Sequence, residues 1–482
     1  MLLTAQLLLQ YQRCKRRTFL DTHGDRSLRD TPSDVLLKLR QDKLFHQNRV
    51  LAAYTYQQPH YPQGDWDAGA KATLELMQQG AECIYKGVLL ITYSDEVTLL
   101  SCPDFLFKQP GQSYFGDWVY VPAQIELGKR PKLEYQIIAA FHTFVLATVQ
   151  QAQPEIAWLL LRRKEAYAVD VAKFLPQMQF SLEECIKTLA LPQAPEVFIS
   201  RQRCSLCRWF TSCYTIAKSV QHLSLLPGVT PKRYIQLQEQ EIITVESLAK
   251  TSIAELEILE GFDGAVAEKL ILQAQSTVEN RPIMLEAADN IHKQLTIPIP
   301  TSAIELYFDI EAEPDLKLDY MLGVLVVDRS TKTETFYSLM AEQPQDEELI
   351  WQQFLDLVWQ YPSAPIFHFC AYEVDTVKRL AKLYHTPRET VRPLLERFVD
   401  VYEQVTQTVA LPVESYALKS IARWLNFEWR DPQANGSQSI YWYDQWLETG
   451  DRTFLDLIQR YNEDDCRATR HLKDWLVSFT QS

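Results

Sequence analysis

The sequence predicts a multidomain α/β protein: an α/β N-terminal part, a small all-helical middle segment, and a C-terminal mixed sheet with helices on its faces. Three observations predict it. A chain of 482 residues is too long for one core. Strand-type and helix-type periodicities alternate at both ends of the chain. Composition shifts twice, after a cysteine cluster near His222 and at the proline-rich stretch 295–300 (LTIPIP), which reads as an extended linker. The expected domains are therefore 1–221, 222–294 and 295–482.

Taken in order, residues 1–9 read as the start of a helix in a soluble, cytoplasmic protein. They have no basic leader or cleavage site, and no segment reaches the roughly eighteen apolar residues of a membrane helix. Residues 87–93 and 97–100 read as paired strands, 118–125 as another strand, and 134–149 as a helix. Short helices fill 223–280, broken at Leu226-Pro227-Gly228 and Gly261-Phe262-Asp263-Gly264. The last part opens with strands 304–311, 321–328 and 335–339 in hairpin order, and continues with helices and a further strand at 365–369.

A formal net charge of −14 argues against a protein that simply coats nucleic acid, since phosphate contacts favour a basic surface. It is compatible with a nuclease, whose metal-binding carboxylates add negative charge themselves. Asp309 and Glu311 stand two apart at the end of an apolar strand, so the pleat sends both to one face. Paired acids repel unless a cation lies between them, and oxygen-only ligands suit Mg²⁺ or Mn²⁺. Glu373 follows the strand at 365–369 and begins a helix. Tyr461 and Asp465, four apart, share a helical face. Two metal ions held by such acids would activate water and stabilise the leaving oxygen in phosphodiester hydrolysis. Any one of these acids alone reads equally well as a solvated strand or helix end; the ordered set carries the reading.

The strings Tyr307-Phe308-Asp309-Ile310-Glu311, His368-Phe369-Cys370-Ala371-Tyr372-Glu373, Ser415-Tyr416-Ala417-Leu418-Lys419-Ser420 and Tyr461-Asn462-Glu463-Asp464-Asp465-Cys466 resemble the proofreading exonucleases with four acids and a tyrosine, in their YprB-type RNase H-like branch. The resemblance implies Asp309, Glu311, Glu373 and Asp465 as ligands of two Mg²⁺ or Mn²⁺ ions, Tyr461 placing the nucleophile, and 3′ to 5′ polarity. Many members carry aspartate where this chain has Glu373. Asp464 competes with Asp465, and the tyrosine-plus-four spacing favours Asp465.

Of nine cysteines, three form Cys204-x2-Cys207-x5-Cys213, which suggests a metal site rather than a disulfide framework. A fourth thiolate is needed, and Cys14 is the best candidate. This pattern resembles the iron–sulfur staple of CRISPR-associated and AddB-type RecB-like nucleases, which implies a 4Fe–4S cluster; zinc, or four free thiols, are the alternatives. Cys83, Cys102, Cys185, Cys370 and Cys466 read as small packed residues.

Between the staple cysteines the chain resembles a RecB-like PD-(D/E)XK nuclease core. That resemblance implies a second site at His46, Glu75, Asp104, Glu126 and Gln136. The motif's lysine is out of place, with Gln124-Ile125-Glu126 followed only later by Lys129, so lost catalysis is as compatible with the sequence as cleavage. The two glycine turns of the middle segment resemble helix-hairpin-helix turns, which hold phosphate through backbone N–H groups; small helical connectors use the same turns.

The expectation is an exonuclease acting on nucleic acid, DNA before RNA, with no membrane partner. A non-catalytic nucleic-acid scaffold and an RNA-processing exoribonuclease are the rivals.

Overall fold

The structure is a computed structural model describing residues 1–162, 166–285 and 299–481. Residues 295–298 of the expected linker lie outside the described residues. The chain divides into two compact units, Met1–Thr215 and Ile216–Ser482.

The first unit contains β1 (Leu2–Thr4), α1 (Ala5–Arg13), α2 (Lys15–His23), α3 (Asp34–Leu51), α4 (Trp66–Gln78), β2 (Cys83–Tyr85), β3 (Leu89–Ser94), β4 (Val97–Ser101), β5 (Phe105–Ser113), β6 (Gly116–Glu126), α5 (Leu133–Gln150), β7 (Ile156–Leu161), β8 (Tyr167–Asp170), α6 (Val171–Leu189) and α7 (Arg201–Cys204). Its sheets run β1-β4-β3 and β2-β5-β6-β7-β8. Helix α5 is apolar almost all round, with Tyr135, Ile137, Ile138, Phe141, Val145 and Leu146 buried, as a helix within a core must be. The chain opens with a strand before its first helix. Leu2, Leu3 and Thr4 pair in parallel with Thr98, Leu99 and Leu100, so a tertiary partner claims residues whose local pattern reads as helix.

Helix α8 (Phe210–Ser219) carries Cys213. Beyond it, the second unit contains α9 (Pro231–Glu239), α10 (Val245–Lys250), α11 (Ile253–Glu257), α12 (Gly264–Glu279), β9 (Ile283–Met284), β10 (Ile304–Glu313), β11 (Leu318–Asp328), β12 (Thr333–Met340), α13 (Glu347–Trp359), β13 (Ile366–His368), α14 (Tyr372–Leu383), α15 (Arg388–Leu395), β14 (Phe398–Asp400), α16 (Val401–Thr408), β15 (Val409–Ala410), α17 (Leu418–Trp424), α18 (Gly436–Thr449) and α19 (Thr453–Gln481). The helical middle segment belongs to this unit. Gln273 and Ser276 of α12 donate to the carbonyls of Leu411 and Ala410, and β9 pairs with β15.

The main sheet has the order β12-β11-β10-β13-β14. Its first three strands are antiparallel and the last two run parallel to β10. Central β11 is buried along nearly its whole length, and Leu306, Phe308, Leu322, Val324, Trp351 and Phe354 share one core. The sequence places each of these strands except short β14. Among the described residues no helix is long and apolar enough to cross a membrane.

Candidate functional site

Strand β10 delivers Asp309 and Glu311 to one face, and a bulge follows directly at Glu311/Ala312. Opposite Asp309 on β11 stands Gly323. A Cβ there would overlap the amide oxygen of Asn462, so glycine is what lets α19 lie this close to the sheet. Helix α19 then contributes Tyr461, Asn462 and Asp465.

Ligand oxygens of Asp309, Glu311 and Asp465 all lie within 4.8 Å of one another. Glu373 joins them electrostatically, its charge acting on both Asp309 and Glu311. It enters from the start of α14 through a sharp turn at Cys370, whose φ of 82° lies in the left-handed region. Two bonds hold that turn: Cys370 N–H donates to Asp400 Oδ1 at 3.1 Å, and His368 Nδ1 donates to the Cys370 carbonyl at 2.6 Å. His368 Nδ1 also stands 3.5 Å from Glu373 Oε2.

Burial raises the pKa of all four carboxyls. Asp309 and Glu311 are held well above the usual carboxylate range by burial and then by the charge of Asp465; Glu373 is raised by burial, partly offset by His368. Burial takes Asp465 to about 7 against hydrogen bonds from Trp429 and Tyr461 that pull it down. Four carboxyls gathered this way favour protons, or a cation in their place. The Lys419 ammonium acts on Asp465 and donates to the Ala434 carbonyl.

The sequence reading overlooked the groups that hold these acids. Asn462 Nδ2 donates to Asp309 Oδ2 at 2.7 Å, and Asn462 together with Ser439 of α18 bonds Glu311. Trp429 Nε1 donates to Asp465 Oδ1 at 2.7 Å. Asp464 turns elsewhere, accepting from Arg430 N at 2.9 Å and Arg430 Nε at 2.8 Å. Asn462 is visible in the sequence only as a polar residue beside Tyr461; nothing local marks Ser439 or Trp429. A buried pair fixes α19 against β10, with Lys473 Nζ 2.6 Å from Glu305 Oε1, and Arg329 sealing the other carboxylate oxygen at 2.5 Å.

In the first unit Cys14, Cys204, Cys207 and Cys213 are half-buried neighbours: the charge of Cys14 acts on each of the other three thiols. Cys14 occupies the junction of α1 and α2, where its Sγ accepts from Arg17 N at 3.4 Å. Burial raises Cys204 and Cys213 and takes Cys207 to about 11, while Arg16, Arg17 and Arg203 supply compensating positive charge. Cys83, Cys185 and Cys466 are buried as expected; Cys102 and Cys370 are only half-buried, one beside a polar cavity and the other in the turn before Glu373.

Of the second expected site, the structure brings Glu126 near Asp104. His46 is buried on α3 with Nε2 against the Leu160 carbonyl at 3.3 Å. Glu75 and Lys129 are exposed, and Gln136 Nε2 donates to the Pro131 carbonyl at 3.0 Å. Asp104 pairs with Lys86 at 2.5 Å and accepts from Ile125 N at 2.7 Å. Glu126 is buried near Asp104 and Lys43, and burial takes it up to about 7.

A family model of the RNase H superfamily matches residues 306–477, the sheet and helices that carry the carboxylate site. No curated protein matches the chain. The C-terminal part is an RNase H-like domain, of the kind that processes nucleic acid.

Proposed function

We propose that the RNase H-like domain is a divalent-metal exonuclease that removes nucleotides from the 3′ end of nucleic acid, DNA in the first instance. The observation that carries this reading is the convergence of Asp309, Glu311 and Asp465 within 4.8 Å, with Glu373 acting on the first two. The donor set is all oxygen and buried, which fits two Mg²⁺ or Mn²⁺ ions. Bound there, such ions supply charge neutralisation at the scissile phosphate and an acidified water. The chain's own residues do the rest. Trp429, Asn462 and Ser439 fix the carboxylates before substrate arrives. Burial and the neighbouring carboxylates push the Tyr461 phenol far above its ordinary value, so it keeps its proton and bonds Asp465. From there its hydroxyl orients the attacking water.

Beside Glu373 and Glu311 lies an open groove of about 790 Å³ whose wall includes Lys317, Tyr372, Lys382 and His385, with Arg379 held by Asp319 and Glu347. Tyr372 is 49% exposed. Cations with an exposed aromatic ring suit a single strand, whose bases stack and whose phosphates pair.

The four cysteines we assign to a 4Fe–4S cluster. Their mutual proximity and the three arginines around them support it, because four thiolates need positive compensation. Protein purified without oxygen should absorb in the visible region and contain iron and sulfide, both lost in Cys207→Ser; zinc in their place would refute the cluster.

The activity test uses the full chain with Mn²⁺ or Mg²⁺ and end-labelled single-stranded and duplex DNA and RNA. Asp309→Ala should lower hydrolysis at least about 100-fold, and Asp104→Ala should leave it in place. Unchanged hydrolysis in Asp309→Ala sinks the assignment, and preference for RNA overturns the substrate.

A further inference from the structure

We propose that the first unit contains a metal-independent binding cavity for a nucleoside monophosphate, presented as free nucleotide or as the terminal nucleotide of a strand. The cavity measures about 310 Å³, is half-open, and is lined by α1, α3, the start of α4, α5 and the ends of β4 and β6. Its polar wall is Lys43, Gln47, Lys86, Asp104, Gln124 and His142.

Two buried polar atoms in that wall have no hydrogen-bond partner among the described residues: Gln124 Oε1 and His142 Nε2. His142 is 2% exposed, and its other nitrogen is taken by Ser101 Oγ at 2.7 Å. Burial holds the ring down at about 4, so it is neutral at physiological pH, and Nε2 offers one directional hydrogen bond whichever nitrogen carries the proton. Buried polar atoms left unpaired are costly, and an acceptor and a ring nitrogen in the wall of one cavity suit the polar edge of a nucleobase.

The donor set does not suit a cation. Asp104 is the single carboxylate in the wall and both its oxygens are engaged, by Lys86 Nζ at 2.5 Å and Ile125 N at 2.7 Å. The position two residues before Glu126 on the same strand face is the neutral Gln124. Lys86 is paired with Asp104, so Lys43, which also acts on the buried Glu126, is the ammonium in the wall that meets a phosphate. The indole of Trp66 adds an aromatic surface for a base. The volume falls at the lower end of the ~300–1,000 Å³ typical of small-ligand sites, which admits one nucleotide and not a duplex.

The test is equilibrium titration of full-length protein in buffer without divalent cations. The probes are AMP, dAMP, inorganic phosphate, and oligonucleotides with a 5′-phosphate or a 5′-hydroxyl. A nucleoside monophosphate should saturate one site. Lys43→Ala and Gln124→Leu should each weaken it about tenfold, and Asp309→Asn should leave it unchanged. A phosphorylated oligonucleotide binding more tightly than AMP assigns a strand end; the reverse assigns free nucleotide. The proposal fails if neither nucleotide binds, if both cavity variants bind as the parent does, if inorganic phosphate binds equally well, or if binding appears only after Mg²⁺ is added.

Discussion

Asn462 has no measurable exposure, yet it is neither apolar nor a metal-type ligand. Its work is to hold Asp309 and Glu311 in one geometry. Asn462→Ala should lower kcat by about 10–100-fold, the usual cost of losing a group that orients a ligand, with KM for the strand nearly constant. Equal losses in kcat and in thermal stability of the metal-free protein would reduce Asn462 to a packing residue. In the first unit Glu126 gives a pH signature. Its carboxyl ordinarily titrates near 4.5, and burial takes it to about 7 in the folded chain. Below about pH 4.5 folded and unfolded chains are both protonated and burial costs nothing. Between there and pH 7 the unfolded glutamate ionises first, so stability falls as pH rises. Glu126→Gln should therefore match the parent at pH 4.5 and exceed it at pH 8 by on the order of 3 kcal/mol. Urea unfolding at both pH values checks this, and a gain that is the same at both would contradict it.

The elements that carry the acids were readable because each obeys a local rule. Strand β10 is an apolar run closed by acids two apart, and α19 repeats at the helical period. What no local rule shows is how far one slides along the other. That register depends on Lys473 meeting Glu305, partners 168 positions apart in the chain. Their side chains are 3% and 1% exposed. Lys473→Met leaves Glu305 Oε1 buried without its cation, with Arg329 and the Tyr307 hydroxyl on the other oxygen, and should destabilise the domain by about 3 kcal/mol, with a parallel loss of hydrolysis as Asp465 shifts against Asp309. Stability held within error would mean that packing sets the register. The surroundings of Asp104 were hard to read for a related reason. His46, Glu75, Lys129 and Gln136 have the order of a motif, but order along the chain does not fix which face of a helix or hairpin turns inward, whereas Lys43, Lys86, Gln124 and His142, which do meet around Asp104, share no recognisable spacing.

Across the whole chain, the two units gather different ligand chemistries: carboxylates in one, thiols in the other. For the carboxylates this has a thermal consequence. Raised carboxyl values mean that the metal-free fold retains protons that a divalent ion must displace. Mn²⁺ should stabilise the protein by about 2.7 kcal/mol at a hundredfold excess over its Kd, more at pH 8 than at pH 6, and Asp309→Asn should abolish most of that gain. A Tm indifferent to Mn²⁺ at both pH values would remove the metal site.

Gly323 carries a consequence for how relatives of this chain are judged. It touches no ligand and belongs to no motif, so a descendant with alanine there would keep every signature residue and still be unable to seat Asn462 beside Asp309. Such a sequence would be counted among working enzymes by its acids alone. The strand opposite the acids is thus a place where ancestry and competence part, and a single methyl group tells them apart.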